Sequence, residues 1–96
     1  MPRIWTHGVW TVKAGREDAF VAAWRELVPI GAEIGSETPV LLRDREQPNV
    51  FRSFGPWADL EEIDRFRAAI RPRIGAMDEL LEAFATFTLD EVYPGE

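Results

Sequence analysis

The stretch Ile4-Trp5-Thr6-His7-Gly8-Val9-Trp10-Thr11-Val12 decides the fold. It is dominated by β-branched and aromatic residues, which fit a pleated, half-buried surface. Side chains alternate along a strand, so Ile4, Thr6, Gly8, Trp10 and Val12 share one face while Trp5, His7, Val9 and Thr11 share the other. Both faces carry bulky apolar groups. Such a strand belongs in the middle of a sheet that is covered on both sides.

Downstream, Lys13-Ala14-Gly15 makes a turn, and Glu17 and Asp18 place negative charge where the dipole of a starting helix favours it. Phe20, Trp24, Leu27 and Val28 share one face of that helix, and Pro29 and Gly31 predict its end. Val40-Leu41-Leu42 and Val50-Phe51-Arg52-Ser53-Phe54 flank a polar loop and read as a hairpin. Asp59 caps a second helix beginning at Leu60, with Glu62 at the reciprocal capping-box position. Leu60, Ile63 and Phe66 face inward, and Arg71-Pro72 is expected to break or kink this helix after about Ala69. Ile74, Met77, Leu80, Leu81 and Phe84 recur at helical spacing and predict a second helical piece, which leaves Thr86 to Tyr93 as the last strand.

The resulting βαββαβ order is that of an α+β, ferredoxin-like domain, an antiparallel sheet with both helices on one face. One domain over residues 1–96 is expected, since the chain is long enough for one core and too short for two. The other sheet face is left bare, and monomeric proteins rarely expose large contiguous apolar patches. A second copy of the same sheet is the simplest cover, so a homodimer through the sheet face is expected.

Charge and composition narrow the function. A formal net charge of −6 argues against a nucleic-acid partner, and a ferredoxin-like RNA binder would need exposed strand aromatics amid basic residues. With no Cys and one His there is no thiolate nucleophile and little to hold a metal, so no cofactor is expected. Gly31-Ala32-Glu33-Ile34-Gly35 lacks the strand and spacing of a dinucleotide loop, and Ser36 and Ser53 lie in no nucleophile elbow. The acid pairs Glu61-Glu62 and Asp78-Glu79 point to different azimuths of a helix and form no dyad. No run of 18 apolar residues and no signal-peptide core is present, so no membrane partner is expected and a cytoplasmic location is the default.

Two segments resemble a known family. Val12-Lys13-Ala14-Gly15-Arg16-Glu17-Asp18-Ala19-Phe20 looks like the strand-to-helix junction of antibiotic-biosynthesis-monooxygenase domains. Phe54-Gly55-Pro56-Trp57-Ala58-Asp59-Leu60-Glu61-Glu62 is similar to the family's third strand, tryptophan and acidic helix start, and related stress-responsive and muconolactone-isomerase-like barrels share much of the pattern. The resemblance implies a dimeric α/β barrel with a pocket between each subunit's helices and sheet. Some members oxidise aromatic polyketides with dioxygen and no cofactor, while others degrade haem. The haem-degrading branch uses an Asn, a Trp and a His at positions that fall here on Gly8, Phe66 and Ala76, so its haem contacts are not kept.

The expected function is therefore a cofactor-independent monooxygenase-like protein that binds a small aromatic substrate between helices and sheet. The alternative is a non-catalytic dimeric ligand-binding or scaffold domain of the same fold. Trp10, Trp57 and Phe66 are the expected substrate-binding residues, although each could equally be core. His7 is the sole candidate base by its ordinary pKa, but strand parity puts it on the sheet face opposite Trp10, as a polar group at an interface. Arg52 could anchor an anion or phenolate, or stand in a salt bridge.

Overall fold

Strand β1 (Ile4–Val12) is the second from one edge of a four-stranded antiparallel sheet, paired with β3 (Val50–Trp57) on one side and β4 (Leu81–Asp90) on the other. β2 (Val40–Arg43) completes the order β2-β3-β1-β4 by pairing with β3. Helices α1 (Glu17–Glu33) and α2 (Leu60–Asp78) give the ferredoxin-like βαββαβ order. The computed structural model describes residues 3–95, and its shortest dimension, 17 Å, is that of one sheet and one helical layer. The core lies between those layers: Trp10, Val12 and Phe51 from the sheet pack with Phe20, Leu27 and Met77 from the helices. Phe20, Met77 and Val12 are fully buried, and burial of each such side chain stabilises the fold by roughly 1.5–3 kcal/mol.

Both helices run through the prolines expected to end them. α1 continues past Pro29 to Glu33, and α2 past Pro72 to Asp78. Pro29 and Pro72 are exposed, as are Arg25 and Ala68, whose carbonyls lose their i+4 donor, so water can take the vacant bond. Beyond each proline the core rewards continuation: Ile30 packs against it after Pro29, and Ile74 and buried Met77 after Pro72. Asp59 caps α2 as expected, its carboxylate accepting from the Glu62 amide at 2.8 Å. The Glu62 side chain accepts from the Ala58 amide at 3.2 Å, one residue before the usual capping-box donor.

The fourth strand begins at Leu81, so Leu81 and Phe84 belong to a strand and not to a helical piece. β1 explains the difference, because it pairs with β4 from Val12 opposite Leu81 to Ile4 opposite Asp90. A strand starting at Thr86 would have left β1 without a partner on that side beyond Gly8. The register shifts once, between Thr11 and Val12, and runs unbroken through Gly8. β3 likewise extends through Pro56 to Trp57; pairing with β2 stops at Phe54, so the proline sits where β3 has a free edge.

The face away from the helices is apolar. His7 stands between Phe54 and Phe87 in the register, and Trp5 is beside Leu89. Val40, Leu42, Phe87 and Leu89 are each about half exposed there.

Candidate functional site

On the helix-facing side, a cavity of about 320 Å³ opens between the sheet and both helices. Three rows of paired residues carry its sheet wall, which Thr6, Gly8, Trp10, Ser53, Gly55, Phe84 and Thr86 line. Nearest the core, Trp10 stands between Phe51 and Phe84; next, Gly8 stands between Ser53 and Thr86; then Thr6 stands between Gly55 and Thr88. Hydroxyl-bearing residues and glycines thus alternate across the middle of the sheet. Trp24, Leu27 and Gly31 of α1 and Ile63, Phe66 and Ile70 of α2 form the opposite wall. Two aromatic clusters close the ends: Trp10 against Phe84 with centroids 4.1 Å apart, and Trp57 against Phe66 at 5.3 Å.

The two indoles are held by one device used twice. Trp10 Nε1 donates to Ser53 Oγ at 2.9 Å, and Trp57 Nε1 donates to Thr6 Oγ1 at 2.8 Å. In each case the tryptophan lies two residues after a glycine and folds back toward the hydroxyl paired opposite that glycine: Gly8 with Ser53, and Gly55 with Thr6. A Cβ on Gly8 would come within 2.7 Å of both Ser53 Oγ and Trp10 Nε1, so that bond requires the missing side chain. At Gly55 the corresponding approaches to Trp57 Nε1 and Thr6 Oγ1 are 3.4 and 3.5 Å. A local two-fold relates the halves and passes through the pair His7 and Phe54, which stack on the far face at 4.5 Å with an 8° interplanar angle.

At the mouth, Arg67 and Arg71 lie one turn apart on exposed positions of α2, and neither makes an ion pair among the described residues. Glu37, also on the lining, is bound to Arg3 at 2.7 Å. Ser36 donates to the Gly31 carbonyl at 2.8 Å and closes the turn beneath the end of α1.

Trp10, Trp57 and Phe66 therefore all line one cavity, and His7 stands on the opposite sheet face with its Nε2 buried and unpartnered among the described residues. His7 and the cavity are thus separated by the sheet. Arg52 also lies on the far face, 3.6 Å from Asp44, in a salt bridge. Of the positions aligned with haem contacts, Gly8 and Phe66 line the cavity and Ala76 is exposed on α2. What the sequence reading missed is the pairing of Thr6 with Gly55 and of Gly8 with Ser53. The available signal was the repeated spacing Gly8-Val9-Trp10 and Gly55-Pro56-Trp57.

A βαββαβ sheet whose two helices flank an apolar, aromatic-ended cavity defines a ferredoxin-like domain. The antibiotic biosynthesis monooxygenase family model matches residues 4–69, and the chain belongs to that family. Solved structures share the fold. A Shewanella oneidensis protein superposes with a TM-score of 0.83 at 23% identity, covering 94% of this chain and 91% of its own. A Nitrosomonas europaea protein assigned as an antibiotic biosynthesis monooxygenase gives 0.86 at 15% identity, covering 98% and 94%. A Bordetella bronchiseptica protein with the same assignment gives 0.84 at 20% identity, covering 96% and 99%. No curated protein sequence matches the chain at a significant level.

Proposed function

We propose that the protein is a cofactor-independent monooxygenase-like protein that holds a small aromatic substrate between its helices and sheet, and that it works as a homodimer through the open sheet face. The observation that carries this reading is the cavity itself: about 320 Å³, apolar, with Trp10 and Phe84 at one end and Trp57 and Phe66 at the other. Ligand sites begin at about 300 Å³, so it suits a guest of about two or three fused rings. Family membership supports a monooxygenase-like reaction. Oxidation of a CH₂ flanked by aromatic rings consumes one dioxygen: two C–H bonds break, one C=O forms, and the second oxygen leaves as water. No external reductant is required. The protein's part is to exclude water and hold the ring still. Cofactor independence rests on the donor set, which has no cysteine and a lone histidine on the wrong sheet face.

The non-catalytic reading is favoured by a different observation: the charged lining residues, Glu37, Arg67, Arg71 and Asp78, are all exposed, so no buried acid or base faces the guest. Anthrone separates the two. With an oxygen electrode, the monooxygenase reading expects uptake of one dioxygen per anthrone above the spontaneous rate, falling at least tenfold in Phe66→Ala. Saturable binding of anthrone without added oxygen uptake would establish the ligand-binding reading instead.

A further inference from the structure

We infer that the cavity selects guests carrying a carbonyl or phenolate oxygen, and that Thr6 and Ser53 are the residues that read it. The inference deepens the aromatic-site reading above and rests on it. Each hydroxyl accepts an indole N–H, from Trp57 and Trp10 respectively, and neither donates to any acceptor among the described residues. A hydroxyl is both donor and acceptor, so once the indole has fixed its oxygen its own proton remains to be placed. Ser53 is 8% exposed and lines the cavity, where bulk water is a poor partner. A buried donor left unpaired costs free energy, whereas one that meets an acceptor gains it. The guest's oxygen supplies that acceptor.

The glycines fix where the two hydroxyls lie. Gly8 and Gly55 leave space that Trp10 Nε1 and Trp57 Nε1 occupy beside Ser53 Oγ and Thr6 Oγ1, so each hydroxyl oxygen is held by its indole and its proton is left as the free donor on the cavity lining. An indole that donates to the hydroxyl also strengthens the hydroxyl as a donor, because chained hydrogen bonds polarise one another. In an oxygenation, negative charge gathers on the substrate's oxygen as it gives up a proton. These donors meet that charge, which makes Thr6 and Ser53 contributors to the reaction as well as to selection.

The test compares 1,4-naphthoquinone with naphthalene, two probes of one ring framework that differ in their oxygens, by equilibrium dialysis and by infrared spectroscopy of the bound quinone. No cysteine is present to react with the quinone. The expected result is about tenfold tighter binding of the quinone, the effect of one net hydrogen bond at the upper end of the usual range, with its carbonyl band moved to lower frequency. Thr6→Val with Ser53→Ala should abolish both the preference and the band shift, the preference being taken as the ratio of quinone to naphthalene affinity within the same variant; a preference retained in that variant overturns the inference. Ser53→Thr should retain both, since the equivalent position across the two-fold is already threonine. Equal binding of the two probes with an unshifted carbonyl band overturns the inference and leaves the aromatic site standing. Failure of both probes to bind removes the site and the inference together.

Discussion

At the scale of single residues, glycines placed by the same chain have opposite roles. Gly8 lies under the Trp10–Ser53 hydrogen bond, where a Cβ would meet both partners at 2.7 Å. Gly8→Ala should therefore destabilise the fold by about 1–3 kcal/mol, as overpacking does, and should weaken guest binding as well. Gly75, exposed on α2 with nothing within 4 Å of its would-be Cβ, is the control: Gly75→Ala should stabilise by about 0.5–1 kcal/mol through helix propensity. Urea unfolding of the two variants measures both, and a neutral Gly8→Ala would show that the indole bond tolerates displacement. The face of each aromatic was legible from alternation along β1, which separates Trp10 from His7. The hydroxyl partners were not, because pairing Thr6 with Gly55 and Gly8 with Ser53 depends on a register between strands more than forty residues apart. Nothing in a single strand's pattern states its neighbour's register.

At the scale of elements, β1, the start of α2 and the hairpin could be read from local chemistry. The ends of α1, α2 and β4 could not. A proline raises the local cost of helix by about 3 kcal/mol, but Ile30, Ile74 and Met77 lie beyond the two prolines and their burial outweighs it. Pro72→Ala should accordingly stabilise α2 by about 1 kcal/mol or more, because it restores a donor to the Ala68 carbonyl on an exposed surface. Thermal unfolding should show a higher Tm. An unchanged or lower Tm would mean that α2 depends on the shape the proline gives it. Asp59→Ala should cost about 1 kcal/mol by removing the cap at 2.8 Å on the Glu62 amide. At β4, local spacing favoured helix for Leu81 and Phe84, and the nine residues of β1 that needed a partner decided otherwise.

At the scale of the whole molecule, two expectations concern solution behaviour. The sheet face carrying Trp5, His7, Phe54, Phe87 and Leu89 is covered by no helix among the described residues, and a specific interface buries about 800 Å² per partner. Sedimentation equilibrium at micromolar concentration should give twice the 11.0 kDa chain mass, and a clean monomer would rule out pairing through this face. The second concerns acid. The Trp5 indole N–H, with Arg3 beside it, holds the Glu91 carboxyl below its ordinary range, and the amides of Gln47 and Glu46 do the same for Asp44. A carboxyl whose folded pKa is lowered contributes stability that is complete above its unfolded value, about 4, and is lost as pH falls through the folded one. Tm should thus decline below about pH 4, and Glu91→Gln should make that decline shallower; an equal slope would show that Glu91 carries none of it.

The paired Gly-x-Trp device has a consequence for regiochemistry. Because a local two-fold exchanges Ser53 with Thr6, Gly8 with Gly55 and Trp10 with Trp57, the sheet wall presents nearly the same donors to a guest and to the same guest turned end for end. In the proposed oxidation the wall alone would not decide which of two inequivalent CH₂ positions of a guest is presented to dioxygen. That choice falls to the features that break the symmetry: Phe84 beside Trp10 at one end, Phe66 beside Trp57 at the other, and the arginines on α2. Exchange of Phe84 or Phe66 should therefore redistribute products between the two ends of an unsymmetrical guest, and a symmetrical guest should be indifferent to which way round it enters.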